Sequence, residues 1–309
     1  MLPRRECRNR PGAALLFAIV ISAVVGIAAV ALWQATADTR RSAALESSGA
    51  RASAVADSAR SLAFAAIADG SWRALTTPGT AYQVATGTTG HGNWRVDIGR
   101  TGWLTLVVRG TASMSSGVPG VSARADSRAV VPLVAPLEVP RSAVTGTAPW
   151  SVAAGATIDI AGSASAEIIC RDGDIVTPTR LAPAPDLSGL SLPAVDPDTV
   201  TDSLIGAFRL TRSTVSQPLR IRGMLVVDTD LHIGADLELT GVLVTRGSVH
   251  PAGGWLDVVG AVVAGDAGGG ASGLGPLDRV RYDACAIRRA VEQVTRAAPG
   301  AAWSTLRLF

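Results

Sequence analysis

Residues 13–33 read AALLFAIVISAVVGIAAVALW, 21 residues from Ala13 to Trp33 without a charge. As a helix at ~1.5 Å per residue, such a run spans ~30 Å, the thickness of a bilayer's hydrocarbon. In front of it lies a hydrophilic leader, MLPRRECRNRPG, ending at Gly12. There Arg4, Arg5, Arg8 and Arg10 stand against Glu6, so the leader holds the whole formal excess of +3. The remainder is neutral, with 24 basic and 24 acidic residues. The positive charge therefore acts as an orientation signal rather than a nucleic-acid surface. Behind the run, Asp38, Arg40 and Arg41 form a weaker cluster. The reading is a single-pass anchor in a cytoplasmic membrane, with the leader inside and residues 34–309 outside.

A cleavable secretory signal is the main rival, and Ala35-Thr36-Ala37 fits the small-x-small cleavage pattern. The apolar run is longer than the usual 7–15 residues of a signal core. The chain behind the run also favours an anchor. No proline occurs between Pro11 and Pro78, and residues 34–69 are rich in the helix formers Ala, Leu and Arg. Ala44, Ala52, Val55, Ala59, Leu62 and Ala66 recur mostly at spacings of three and four, an apolar stripe on a polar helix. One helix is expected over residues 13–69, with Gly26 and Gly49 as weak points.

A basic leader ending in glycine, an apolar half-helix and an amphipathic continuation resemble the type IV pilin and pseudopilin superfamily. The junction Arg10-Pro11-Gly12-Ala13-Ala14-Leu15-Leu16 is most similar to the start of the PilX-type minor pilins. The resemblance implies a bacterial inner-membrane protein cut by prepilin peptidase between Gly12 and Ala13. It implies partners in membrane lipid and in other pilin or pseudopilin subunits, and a place at the cell surface or pilus after assembly. Main pilins place Phe or Met first and Glu fifth after the cut. Ala13 and Phe17 stand there instead, which points to a minor subunit.

Downstream, Ala81–Thr86, Asn93–Ile98 and Trp103–Arg109 read as strands, with 86–92 and Gly99–Gly102 between them. The alternation Trp94, Val96, Ile98 gives one buried face. Residues 118–131 continue an antiparallel meander, packed on the exposed half of the helix. Nine prolines punctuate residues 132–200, and 181–198 reads as a loop or crossover. Then a repeat sets in. Gly223-Met-Leu-Val-Val, Gly241-Val-Leu-Val-Thr and Gly260-Ala-Val-Val-Ala recur at intervals of 18 and 19 residues. That period suggests stacked β-solenoid coils, with an antiparallel sheet of two hairpins as the rival. Asp266–Gly275 reads as a glycine-rich loop, and Tyr282–Ala298 as a helix with Cys285, Ile287, Ala290, Val291 and Val294 inward.

The expected fold is thus α+β: a long N-terminal transmembrane and amphipathic helix, an antiparallel β meander packed on it, C-terminal β-solenoid-like repeats and a short C-terminal helix. The segments are leader 1–12, transmembrane helix 13–33, extended helix 34–70, β domain 71–131, Pro-rich insertion 132–200 and solenoid with helix 201–309.

The sequence offers little chemistry. His91, His232 and His250 stand alone, although His232 and His250 occupy equivalent points of adjacent repeats. Two ligands alone rarely hold a transition metal. Asp172-Gly-Asp174 and Asp228-Thr-Asp230 lack the glycine and distal glutamate of an EF-hand and read as turns. No nucleophile elbow, zincin motif, phosphate loop or Cys-x-x-Cys occurs. Neither a catalytic residue, a metal, a cofactor nor a nucleic-acid partner is expected. If the body is exported, Cys170 and Cys285 can form one disulfide, the alternative being two buried thiols. The expected function is a minor pilin-like subunit in type IV pilus assembly, priming or adhesion. The alternatives are a minor pseudopilin of a type II secretion system, and an anchored or secreted β-solenoid enzyme acting on polysaccharide. The enzyme would draw its acids from Asp228, Asp230, Asp236 and Glu238.

Overall fold

The computed structural model describes residues 11–75, 80–160, 170, 176–200, 203–266, 270–298 and 306–308. The leader up to Arg10 and the Asp172-Asp174 turn lie outside these residues. Helix α1 (Pro11–Ala68) runs 58 residues without a break, about 87 Å at ~1.5 Å per residue. Neither Gly26 nor Gly49 interrupts it, since a helix glycine costs only ~1 kcal/mol. It stops at Gly70, whose left-handed φ of 76° lets its N–H return to the Ile67 carbonyl.

Strands β1 (Ala81–Thr89), β2 (Gly92–Gly102), β3 (Thr105–Ser115) and β4 (Ser122–Val134) form the antiparallel meander in chain order. Its turns are tighter than expected. β1 extends through Thr89 to a two-residue turn at Gly90-His91, and β2 through Gly102 to one at Trp103-Leu104. Gly99–Gly102 is therefore strand rather than connector. The inward row of Val96, Ile98, Leu106, Val108, Val131 and Leu133 packs on α1.

The buried face of α1 is Ala52, Ala56, Ala59, Ala63 and Ile67. This corrects the expected stripe: Ala52 and Ala59 belong to it, but Leu62 is 45% exposed. The cause is steric. A Cβ on Gly110 of β3 would overlap the Ala56 carbonyl oxygen, so helix and sheet approach on their smallest residues. Ser127 of β4 fixes the register, donating to Asp57 Oδ1 at 2.8 Å and accepting from Arg60 Nη1 at 3.2 Å.

Fourteen more short or middling strands lead to the second half of the chain. They begin with β5 (Ser142–Gly146), β6 (Ser151–Val152), β7 (Thr157–Ile160), β8 (Thr177–Leu181) and β9 (Ala194–Val195). The coils are β10 (Leu204–Leu210), β11 (Thr214–Val215), β12 (Leu219–Val227), β13 (Leu231–Ile233), β14 (Leu237–Thr245), β15 (Val249–Pro251) and β16 (Leu256–Ala264). β17 (Gly273–Leu274) and β18 (Arg279–Tyr282) complete them. The long arms β10, β12, β14, β16 and β18 are parallel neighbours, and β11, β13 and β15 form a second parallel side. Parallel pairing in register, Leu219 with Leu237 and Leu237 with Leu256, makes this a β-solenoid-like region and not a pair of hairpins. The Pro-rich stretch is part of it: β5 pairs with β16, β7 with β18 and β9 with β10.

The repeat's glycines form one column across the sheet, and it begins at Gly206, one coil earlier than the sequence repeat shows. Gly206, Gly223, Gly241 and Gly260 share φ of 138–146° and lie in mutual register. A Cβ on any of the last three would overlap the preceding glycine's carbonyl oxygen. In the last three coils the side chains alternate before the glycine, and after it, as in Met224–Val227, all are buried; after Gly206, residues 207–209 are only partly buried. Helix α2 (Ala284–Glu292) crosses this column, where Ala290 Cβ would stand 3.0 Å from a Cβ on Gly241.

α2 is shorter than the expected 282–298. Asp283 caps its start by accepting from the Ala286 N–H at 2.9 Å. Its end is set from outside: residues 296–297 form β19 (Arg296–Ala297), antiparallel to β4, and β20 (Leu306–Leu308) adds to the same strand. The expected glycine-rich loop is pinned at both described ends. Buried Asp266 accepts from the Thr147 and Ala148 N–H groups and from the Ser272 hydroxyl. Burial works to raise its pKa, but these hydrogen bonds outweigh that and hold it below the usual carboxylate range.

In the full chain in detergent micelles, Gly241→Ala is expected to cost about 3 kcal/mol through overlap and backbone strain. Gly49→Ala, with nothing within 4 Å of its Cβ, is expected to gain ~0.5–1 kcal/mol. Denaturant midpoints check both, and equal effects at the two sites would contradict the column's steric role.

Candidate assembly helix and its buried joint

The first half of α1 touches nothing else among the described residues. From Leu15 to Trp33 every residue is exposed, including Phe17 at 70% and Trp33 at 72%. An 18-residue window there has mean hydropathy 2.9 and is 0% buried. This is a helix long and apolar enough to cross a membrane. It is apolar on every face, as lipid or a bundle of like helices requires, and its backbone hydrogen bonds are satisfied internally. Gly12 and Ala13 lie in its first turn, just behind Pro11, a tolerated first-turn residue. Between the apolar run and the packed alanine face lies an exposed neck with Asp38, Arg40, Arg41 and Glu46.

Where α1 ends, its two neighbours meet it at one buried cluster. Trp72, in the turn after α1, is 1% exposed and donates from Nε1 to the Ile67 carbonyl at 3.2 Å. The Arg100 and Arg73 guanidinium carbons lie 5.5 and 5.2 Å from its ring. Arg100 is fully buried. It donates to the carbonyls of Leu75 at 3.2 Å and Trp103 at 2.8 Å, and forms an ion pair with Glu292 of α2. Arg73 Nε donates to the Glu292 carbonyl at 2.9 Å. Burial pushes the Glu292 carboxyl up, against the hydrogen bond and charge of Arg100 and the charges of Arg73 and Arg289. Burial likewise lowers the Arg73 pKa against the pull of Glu292. Helix, meander and solenoid are thus joined through one ion pair.

Sequence alone reveals only half of this cluster. The alternation Trp94, Val96, Ile98 carries on to Arg100 and turns that arginine inward. Nothing local marks Glu292 as its partner.

The Sγ atoms of Cys170 and Cys285 are bonded, with Cα atoms 4.5 Å apart and a sequence separation of 115. The bridge ties residue 170 to the first turn of α2, beside Trp103. The Arg288 guanidinium lies 5.7 Å from the Trp103 ring.

The remaining candidates divide. His232 and His250 do meet, their rings stacked at 5.1 Å in the β13–β15 register, while His91 lies in the β1–β2 turn. Among the described residues no group of three or more His, Cys, Asp or Glu could hold a metal. The four acids fall at two corners of the coil, and three of their carboxylates have structural partners. Asp228 pairs with Arg209, Asp230 accepts from the Ser248 N–H at 2.8 Å, and Glu238 pairs with Arg220 at 2.9 Å. For Asp236 only the backbone is engaged, its carbonyl accepting from the Leu219 N–H at 2.9 Å.

The class that these features define is an α+β protein hung on a long apolar N-terminal helix, with a meander and a β-solenoid-like body. Comparisons with protein families, curated proteins and solved structures find no match to the chain.

Arg100→Met leaves the Glu292 carboxyl buried without its main partner and is expected to cost ~3–5 kcal/mol. Adding Glu292→Met is expected to recover much of that loss. A denaturation cycle measures the coupling, and strict additivity would dismiss the joint. For the cysteines, alkylation of the unfolded chain is expected to label Cys170 and Cys285 only after reduction. Labelling of Cys170 or Cys285 without reductant would contradict the bridge.

Proposed function

We propose that this chain is a minor pilin-like structural subunit, anchored in the bacterial inner membrane and acting in type IV pilus assembly, priming or adhesion. The observation that carries the reading is α1 itself. One unbroken helix presents an apolar half to its surroundings and packs its other half on an antiparallel meander. Such a helix has two stable environments, lipid and a bundle of similar helices. Exposing a large apolar side chain to water costs ~1.5–3 kcal/mol, so water is not a third.

The arginine leader holds the N-terminus on the cytoplasmic side. Prepilin peptidase cuts between Gly12 and Ala13, and residues 15–33 then exchange lipid for neighbouring subunits' helices. The body stays outside the membrane, where a Cys170–Cys285 bridge is chemically at home. Phe17 keeps the run free of charge, in line with a minor role. A minor pseudopilin of a type II secretion system would use the same helix in the same way. The polysaccharide-enzyme reading is the weaker one, because the acids it needs are split between two corners and three of the four are engaged in ion pairs or a backbone cap.

Cleavage provides the test. From its native host membrane, the protein is expected to begin at Ala13, and a Gly12→Glu variant is expected to keep its leader and migrate as the larger band. A variant processed like wild type would sink the reading. So would Asp38 as first residue, which marks a secreted protein, or Met1, which marks a plain anchor.

A further inference from the structure

We propose that the outer face of the β1–β4 meander is a binding surface for an acidic polysaccharide. Charge is segregated across this sheet. From Ala81 to Val134 the chain has five arginines, two aspartates and no lysine or glutamate. One face of the sheet is packed on α1, so these charges must lie on the other face or be buried. Arg100 alone turns inward, to Glu292. That leaves Arg95, Arg109, Arg124 and Arg128 facing Asp97 and Asp126 on the outer side. The chain behind the leader is neutral as a whole, so this excess is local.

The register brings the arginines together. Arg95 stands beside Thr111, Thr111 beside Asp126, Arg109 beside Arg128, and Arg124 beside Ser113, on strands ~4.8 Å apart. Both carboxylates are already engaged. Arg95 Nε reaches both Asp97 oxygens at 2.8 Å, and Asp126 is shared by Arg109 at 2.5 Å and Arg128 at 3.2 Å. Arg124 has no ion pair with a described residue. Two shallow cavities of about 450 and 530 Å³ share Arg95, Thr111 and Arg124, and so make one trough.

The lining selects the ligand. A guanidinium fork takes a carboxylate in bidentate fashion. Thr86, Thr88, Asn93, Thr101 and Ser113 supply the hydroxyl and amide groups that sugar hydroxyls bond. Among the described lining residues Trp94 is the single aromatic, and it is half-buried against the helix-side core, short of the row of rings on which successive bases stack. Alternating carboxylates and hydroxyls along a flexible polymer, as in a polyuronate, match this array. The surface is independent of α1 and of the assembly role.

The test uses the full chain in detergent micelles with three probes: labelled polygalacturonate, neutral dextran and duplex DNA. Polygalacturonate is expected to bind and dextran not. Binding is expected to vanish near ~1 M salt, where the screening length is about 3 Å. Arg95→Glu/Arg124→Glu is expected to weaken it about tenfold or more with an unchanged denaturation midpoint, a loss of roughly 1.4 kcal/mol. Arg95→Lys/Arg124→Lys is expected to keep the larger part. Equal binding of dextran, an unaffected charge-reversal variant, or tighter binding of DNA than of polygalacturonate would each overturn the proposal.

Discussion

A fully buried guanidinium holds the parts of this chain in one arrangement. Arg100 is on the meander, Trp72 on the turn after α1, and Glu292 on the helix that lies across the solenoid. An arginine buried without a partner would cost far more than any single packing contact returns. The three elements must therefore arrive together or leave the charge stranded. Such a pair adds little net stability over apolar side chains of similar size, but it penalises every arrangement in which the partner is absent. That makes it a device for uniqueness more than for strength. The neighbouring Arg73, which donates to the Glu292 and Thr295 carbonyls, sharpens the same demand.

Around that joint the fold is built by close approach rather than by bulk. Aromatics are only 4% of the chain, against 33 glycines. The core therefore has few large side chains to fill space, and backbones move in instead. The meander meets α1 at Gly110 and Ala56, and α2 meets the solenoid at Ala290 and Gly241. In both places the smallest residues face each other, giving interior packing density without large rings. The glycine column adds a second demand, since its φ near 140° is a region that L side chains rarely adopt. Sterics and backbone conformation select the same residue at the same positions, which explains the strict return of glycine in each coil.

What the sequence made legible is what depends on near neighbours. The apolar run, the proline-free helix, the strand alternation and the 18-residue period are local patterns, and each has its counterpart in the fold. The departures come from distant partners. α2 stops at Glu292 because the chain beyond it is drawn to the edge of β4, far away in sequence. Leu62 faces out because the sheet takes the helix on the row Ala52, Ala56, Ala59, Ala63 and Ile67, which leaves position 62 off the buried face. Gly206 escaped the repeat because Ala207-Phe208-Arg209 breaks the apolar signature that follows the other three glycines. In the joint, Arg100's inward direction could be read by parity. Its partner could not, since Glu292 is 192 residues away.

Among the described residues, the apolar half of α1 is a large surface that the fold leaves without a counterpart. Of the helix's ~87 Å, the charge-free run takes ~30 Å. The packed face begins at Ser48, 1% exposed, and its alanines follow from Ala52. The neck of about 14 residues between Trp33 and Ser48 therefore holds the body ~21 Å beyond the apolar run. No contact among the described residues requires such a spacer, so it sets the packed body apart from a helix long and apolar enough to cross a membrane. The continuous helix spans that distance without a break, and the joint at Arg100 fixes the body to its far end.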